Sequence, residues 1–151
     1  MRRALFPALT LALALRAGAA LAAGCTISSE GPVAFGSYDV FSSEPLDSTG
    51  AISYSCTQTA LPPVIRISAG RSGSFSSRTL ANGTFTLGYN LFLDAGHSQI
   101  WGDGAGGTYA FTGAAPVDNQ TYTVTIFGRI SARQNVGAGS YSDTLTVTVD
   151  F

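Results

Sequence analysis

Few side chains in this sequence could support catalysis or hold a metal, and their spacing favours neither. His97 is the single histidine, and lysine is absent. A serine nucleophile needs a general base within hydrogen-bond reach. The one candidate base sits in Asp94-Ala95-Gly96-His97-Ser98, where nothing pairs it with one serine among many. That stretch reads as a turn, with His97 expected to be a solvated loop residue. Zinc needs a closed tetrahedral set, which one histidine and two cysteines expected to be oxidised do not supply. Asp94 and Asp103, with the glycines after Asp103, could be drawn as a calcium loop, but their spacing fits neither the EF-hand nor the glycine-rich nonapeptide repeat. Carboxylates in such turns ordinarily bind their own backbone. Trp101, the one tryptophan, could be a stacking platform for a sugar, but the preferred reading is a plug for a core. The chain is expected to be no enzyme and to carry no metal and no cofactor.

The elements that would position these residues read as short strands. No stretch carries apolar residues at helical spacing, whereas period-two alternation recurs between Gly, Ser, Asn and Pro. In Ile52-Ser53-Tyr54-Ser55-Cys56, Ile52, Tyr54 and Cys56 share a face. Pro62-Pro63 blocks helix and sets an extended start for Val64-Ile65-Arg66-Ile67. Asn82-Gly83, between Arg78–Ala81 and Thr84–Leu87, is a two-residue hairpin signal. Tyr89–Leu93 and Tyr122–Phe127 are further strands. From Tyr141 to Phe151 the odd positions give Tyr, Asp, Leu, Val, Val and Phe, while the even ones give Ser, Thr, Thr, Thr and Asp. Such a strand lays one face on a core and shows the other to water. It is expected to be the last strand, with no turn after it. About seven such strands point to one immunoglobulin-type sandwich with no internal repeat.

The N-terminus reads as an export signal. A cationic head, Met1-Arg2-Arg3, precedes an apolar stretch from Ala4 to Leu15 and the small residues of 17–23, so residues 1–22 are expected to be a signal peptide cleaved at 19/20 or 22/23. The apolar stretch is too short to span a bilayer. Without Arg2, Arg3 and Arg16, five of the eight basic residues remain against nine acidic ones, so the mature chain of about 130 residues is mildly acidic. That balance argues against nucleic acid or anionic lipid as a partner. In an oxidising compartment Cys25 and Cys56 are expected to pair, closing a loop worth roughly 3–4 kcal/mol. The alternative is a lipidated Cys25, although Leu21 stands four residues before it where three is usual.

Several stretches resemble the spore coat protein U domain family, which includes spore coat proteins and subunits of archaic chaperone–usher pili. Gly128-Arg129-Ile130, Gln134, Gly139-Ser140-Tyr141-Ser142-Asp143-Thr144-Leu145 and the closing Val147–Phe151 carry the resemblance. So do Tyr89–Asp94 with Ile100-Trp101-Gly102-Asp103-Gly104, and, less specifically, Cys25-Thr26, Phe35-Gly36, Cys56 and Arg78-Thr79-Leu80. The resemblance implies a domain over 25–151 that is an all-β, incomplete immunoglobulin-like β-sandwich of pilin type, with its last strand expected from a partner. In such subunits a periplasmic pilus chaperone first fills the open groove. A neighbouring subunit's extension replaces it at the outer-membrane usher, which is strand addition. Carried over, Tyr141, Leu145, Val147, Val149 and Phe151 would line that groove. A donating subunit needs roughly ten alternating residues before its first cysteine, and cleavage after Ala19 leaves only Ala20 to Gly24. The chain is thus expected to accept a strand without giving one, as a terminal subunit of a surface fibre. A coat protein of a dormant cell and a tip module binding a surface or glycan are the alternatives.

Overall fold

The structure, a computed structural model, describes residues 23–57 and 61–151. The expected signal peptide lies outside the described residues. Eight strands form two sheets. β1 (Gly24–Gly31), β2 (Leu46–Thr57), β4 (Arg78–Asn82), β5 (Phe85–Phe92) and β7 (Thr121–Ile130) make a five-stranded antiparallel sheet in the order β1-β2-β7-β5-β4. β3 (Val64–Ile67), β6 (Phe111–Thr112) and β8 (Val147–Asp150) make a smaller sheet in the order β6-β3-β8. The fold is an all-β sandwich of immunoglobulin type, and no described helix is long and apolar enough to cross a membrane.

The alternation read from the sequence becomes the core. Ile52, Tyr54 and Cys56 are each no more than 2% exposed, and Leu87, Tyr89 and Leu91 of β5 and Val124 and Ile126 of β7 are buried beside them. Burying each such side chain fully contributes roughly 1.5–3 kcal/mol. Cys25 and Cys56 stand directly opposite in the β1–β2 register and are joined by a disulfide with Cα atoms 4.0 Å apart. The bridge ties an edge strand to the sheet centre. Replacing both cysteines by serine is expected to destabilise the domain by roughly 3–4 kcal/mol, read as a lower urea midpoint and a lower folded yield.

The structure departs from the sequence reading at three places. The β4–β5 hairpin turns on Gly83-Thr84, because Asn82 pairs with Phe85. Gly83 takes φ 58° at the first turn position, which a primed turn requires and glycine supplies freely. His97 is not a solvated loop residue. Its φ of 54° turns the ring back so that it packs edge-on against Phe92, centroids 5.1 Å apart, with its side chain 9% exposed. Finally, the run from Tyr141 to Phe151 is a ladder only over Val147–Asp150. Its partner β3 ends at Ile67, and a 3-10 turn, Gly70–Ser72, takes over.

Candidate assembly groove

An open groove runs along the side of the sandwich where β8 lies. β8 pairs with β3 on one edge, and its other edge has no partner strand among the described residues. Thr146 exchanges hydrogen bonds with Ser68 at the end of the β3 ladder, its carbonyl accepting from the Ser68 N–H at 2.9 Å and its own N–H donating to Ser68 Oγ at 2.9 Å. In an antiparallel strand the backbone groups alternate sides. Leu145, Val147 and Val149 therefore turn their N–H and C=O groups to the open edge while their side chains face inward. From 141 to 150 the odd positions are half-buried and the even ones exposed. A strand inside a finished core would bury the odd face fully, so this face is covered on one side only.

The opposite wall is the segment after β1. Residues 32–39 belong to no ladder, yet Val33 and Phe35 point inward between exposed neighbours. Gly128 lets this segment cross the sheet, since a β-carbon there would lie 2.6 Å from Val33 and 2.8 Å from Phe35. Gly50 does the same on β2, where a β-carbon would lie 2.6 Å from the Gly31 carbonyl. Between the two walls are two adjoining cavities of about 330 and 860 Å³, which share Pro32, Val33, Phe35, Leu80 and Asp143. Their floor is the apolar face of the large sheet, including Leu87, Leu91, Ile126 and Ile130.

Polar anchors hold the walls in place. Asp143 accepts from the Arg71 N–H at 3.0 Å and its own neighbour's N–H at Thr144 (2.9 Å), and the Tyr89 hydroxyl donates to it at 2.7 Å. Burial and this hydrogen bond to a carboxylate push the Tyr89 phenol well above its ordinary range, so it remains a donor. Gly70, at φ 68°, leaves the space that the Asp143 carboxylate and Leu145 occupy. Gln134 supplies a false ladder rung where β7 has ended: its amide accepts from Gly88 N–H at 2.7 Å and donates to Gly88 C=O at 2.7 Å. Gly139, at φ 152°, sits against the Asn82 amide, and Ser142 and Ala81 exchange backbone hydrogen bonds beside it.

The domain also buries a cation. Arg78 is 0% exposed. Its guanidinium donates to the carbonyls of Ser68 (2.8 Å) and Trp101 (2.7 Å) and to Asn90 Oδ1 (2.8 Å), and it stacks over the Phe75 ring. Desolvation pulls its pKa down, and the nearby Tyr89 and Asp143 pull it back up. Trp101 is the core plug: it is 0% exposed and its indole N–H donates to the Ile65 carbonyl at 3.0 Å. Gly102 passes under Thr108 and Phe75 with no room for a β-carbon.

Of the remaining residues singled out in the sequence, three line the groove and the others lie elsewhere. Tyr141, Leu145 and Val147 line the cavities. Val149 packs against the core opposite Ile65, and Phe151 lies past β8, 50% exposed. Asp94 accepts from the N–H groups of Ser98 and Gln99, and Asp103 from Ala105 N–H and Thr108 Oγ1, so each carboxylate is engaged by its own loop and held below its ordinary pKa. Arg129 forms a two-pronged pair with Asp47, both bonds 2.6 Å, on the outer face of the large sheet. Exposed pairs of this kind contribute little to stability. The resemblance singled out Phe35-Gly36 and Arg78, but that residues 32–40 form a wall and that Arg78 is buried in a hydrogen-bonded site was not read from the sequence. Val33 and Phe35 did alternate, but over too few positions to mark a strand.

The Spore Coat Protein U domain profile matches residues 10–148. The chain belongs to the spore coat protein U domain family. Protein U of Myxococcus xanthus is 31% identical over 134 residues, covering 80% of this chain and 72% of that protein. A chain in the crystal structure of the CsuC–CsuE chaperone–tip adhesion subunit pre-assembly complex, from archaic chaperone–usher Csu pili of Acinetobacter baumannii, has the same fold, with a TM-score of 0.59 at 23% identity. The match covers 86% of this chain and spans 40% of that one. In this chain the groove bounded by Val33 and Val147 lies within the matched residues.

Proposed function

We propose that this chain is a structural subunit of a secreted surface fibre of the archaic chaperone–usher type. It is exported on the 1–22 signal, held by a periplasmic pilus chaperone, and passed at an outer-membrane usher to neighbouring subunits. The 25–151 domain performs no catalysis and takes no cofactor. The observation that carries this reading is the groove. An apolar floor lies between two walls whose inward side chains are only half-buried, one wall being the open edge of β8, and an extended segment from another molecule would satisfy the ladder groups and cover the apolar wall faces. The solved neighbour was captured as a chaperone–subunit complex, which supports the same partner class here. Expression of the chain in a periplasm, with and without a chaperone encoded beside an usher in its own genome, tests this. Soluble, co-purifying protein is expected only with the chaperone; a stable free monomer with no affinity for it would count against the reading.

A second reading, deposition in the coat of a dormant cell, is supported by the likeness to Protein U. Immunogold labelling of vegetative and dormant cells separates the two. A tip position, with the loop around Gly102 to Gly107 meeting a surface or glycan, is the third. It predicts label at fibre ends and none along the shafts.

A further inference from the structure

We infer that the strand filling this groove carries a hydrogen-bond donor side chain at its centre, between apolar side chains on either side. The inference rests on the groove reading above and specifies its occupant. The two cavities meet at Asp143. Its Oδ1 already accepts from Arg71 and Thr144, whereas Oδ2 accepts from Tyr89 alone. A carboxylate oxygen has room for a second donor, and the Tyr89 oxygen, its proton committed to Asp143, has only acceptor capacity left. At Asp143 itself the junction therefore presents side-chain acceptors, while the N–H groups of Leu145 and Val147 face the open edge for the backbone of the incoming strand.

The nearest cation does not answer this need. The Arg78 hydrogen bonds go to Ser68, Trp101 and Asn90, and Arg78 does not line either cavity. The other charged residues along the groove, Glu30 and Asp39, are also carboxylates. In the open groove water can reach Asp143 Oδ2. A strand that seals the groove removes that water, and a wholly apolar inner face would leave a carboxylate oxygen short of a partner. On either side of Asp143 the floor is apolar, with Ile52, Leu91 and Ile126 in the smaller cavity and Leu80, Leu87 and Ile130 in the larger, whose rim also carries Ser37, Ser140 and Ser142. Those cavities call for aliphatic or aromatic side chains. The sequence recognised is thus an alternating strand with one threonine, serine, asparagine or lysine midway along its inward face.

Threonine and valine have the same shape, which gives a direct test. Peptides of ten residues with valine at every inward position are compared with peptides in which one threonine replaces each valine in turn, and with one bearing a central aspartate. The full mature chain is refolded from denaturant with each peptide, and soluble yield and Kd are measured. The central-threonine peptide is expected to bind about tenfold more tightly than the all-valine peptide, and off-centre threonines more weakly than all-valine. The central-aspartate peptide is expected to give no rescue. Equal or tighter binding of the all-valine peptide overturns the inference and leaves the groove reading standing. If no peptide of either kind binds, the groove reading falls and the inference with it.

Discussion

Replacing Val147 by aspartate is expected to abolish complex formation with a chaperone or a donor-strand peptide. Val147 is half-buried and lines the smaller cavity, facing the open edge of β8. In the unfilled groove the new carboxylate would remain partly wet. Once a strand closes over it, the charge is buried without a partner, a cost of roughly 3–5 kcal/mol. That weakens association by two to three orders of magnitude, at about tenfold per 1.4 kcal/mol. The Cys25–Cys56 disulfide joins β1 to β2 and includes no residue of β8, so it should form normally. Thr148→Asp is the control, because Thr148 lies on the exposed face of the same strand and should bind within about twofold of the parent. Pull-down yield and Kd for the three proteins check the prediction. Equal loss from both substitutions would mean that the two faces of β8 are not distinguished in the way the groove requires.

Arg78→Met is expected to fail differently, by destabilising the domain whether or not a partner is present. The substitution keeps much of the side-chain volume but deprives the carbonyls of Ser68 and Trp101 and the Asn90 amide oxygen of their guanidinium donor. Buried acceptors left unpaired cost about 1–3 kcal/mol each, so a total near 4 kcal/mol is expected, a large share of a typical domain's 5–15 kcal/mol. Arg78→Lys should recover only part of it, because an ammonium cannot span acceptors that a planar guanidinium reaches together. Urea midpoints of the chaperone-bound proteins should fall in the order parent, lysine, methionine. A methionine variant as stable as the parent would show that the buried network contributes nothing net.

Much of the fold was legible because the sheets follow simple alternation. Ile52, Tyr54 and Cys56, or Leu87, Tyr89 and Leu91, declare their buried face by spacing alone, and two cysteines allow one intramolecular bridge. The C-terminal wall was legible for the same reason, since its odd positions are apolar apart from Asp143. What escaped was whatever depends on residues far apart in sequence. Arg78 looks like a solvated surface residue until Ser68, Asn90 and Trp101 converge on it. Gln134 gives no sign that its amide will substitute for a ladder rung at Gly88. The 32–40 wall makes its inward turns through Val33 and Phe35 and then slips at Gly36 (φ 73°), which breaks the period that would have marked it. His97 was misjudged because a positive φ in a short turn, invisible in composition, folds its ring onto Phe92. Asp143 stood out only as a break in an apolar face, and its ties to Arg71 and Tyr89 required the fold.

Hydrogen exchange on the chain freshly refolded at low concentration and on its chaperone complex tests the open edge most directly. Under native conditions the amides of Leu145, Val147 and Val149 should exchange quickly in the free chain and become strongly protected in the complex, while those of Ile52 and Val124 at the sheet centre stay slow in both. Slow exchange at Leu145, Val147 and Val149 in the free chain, unchanged on binding, would show an edge already paired and contradict the account.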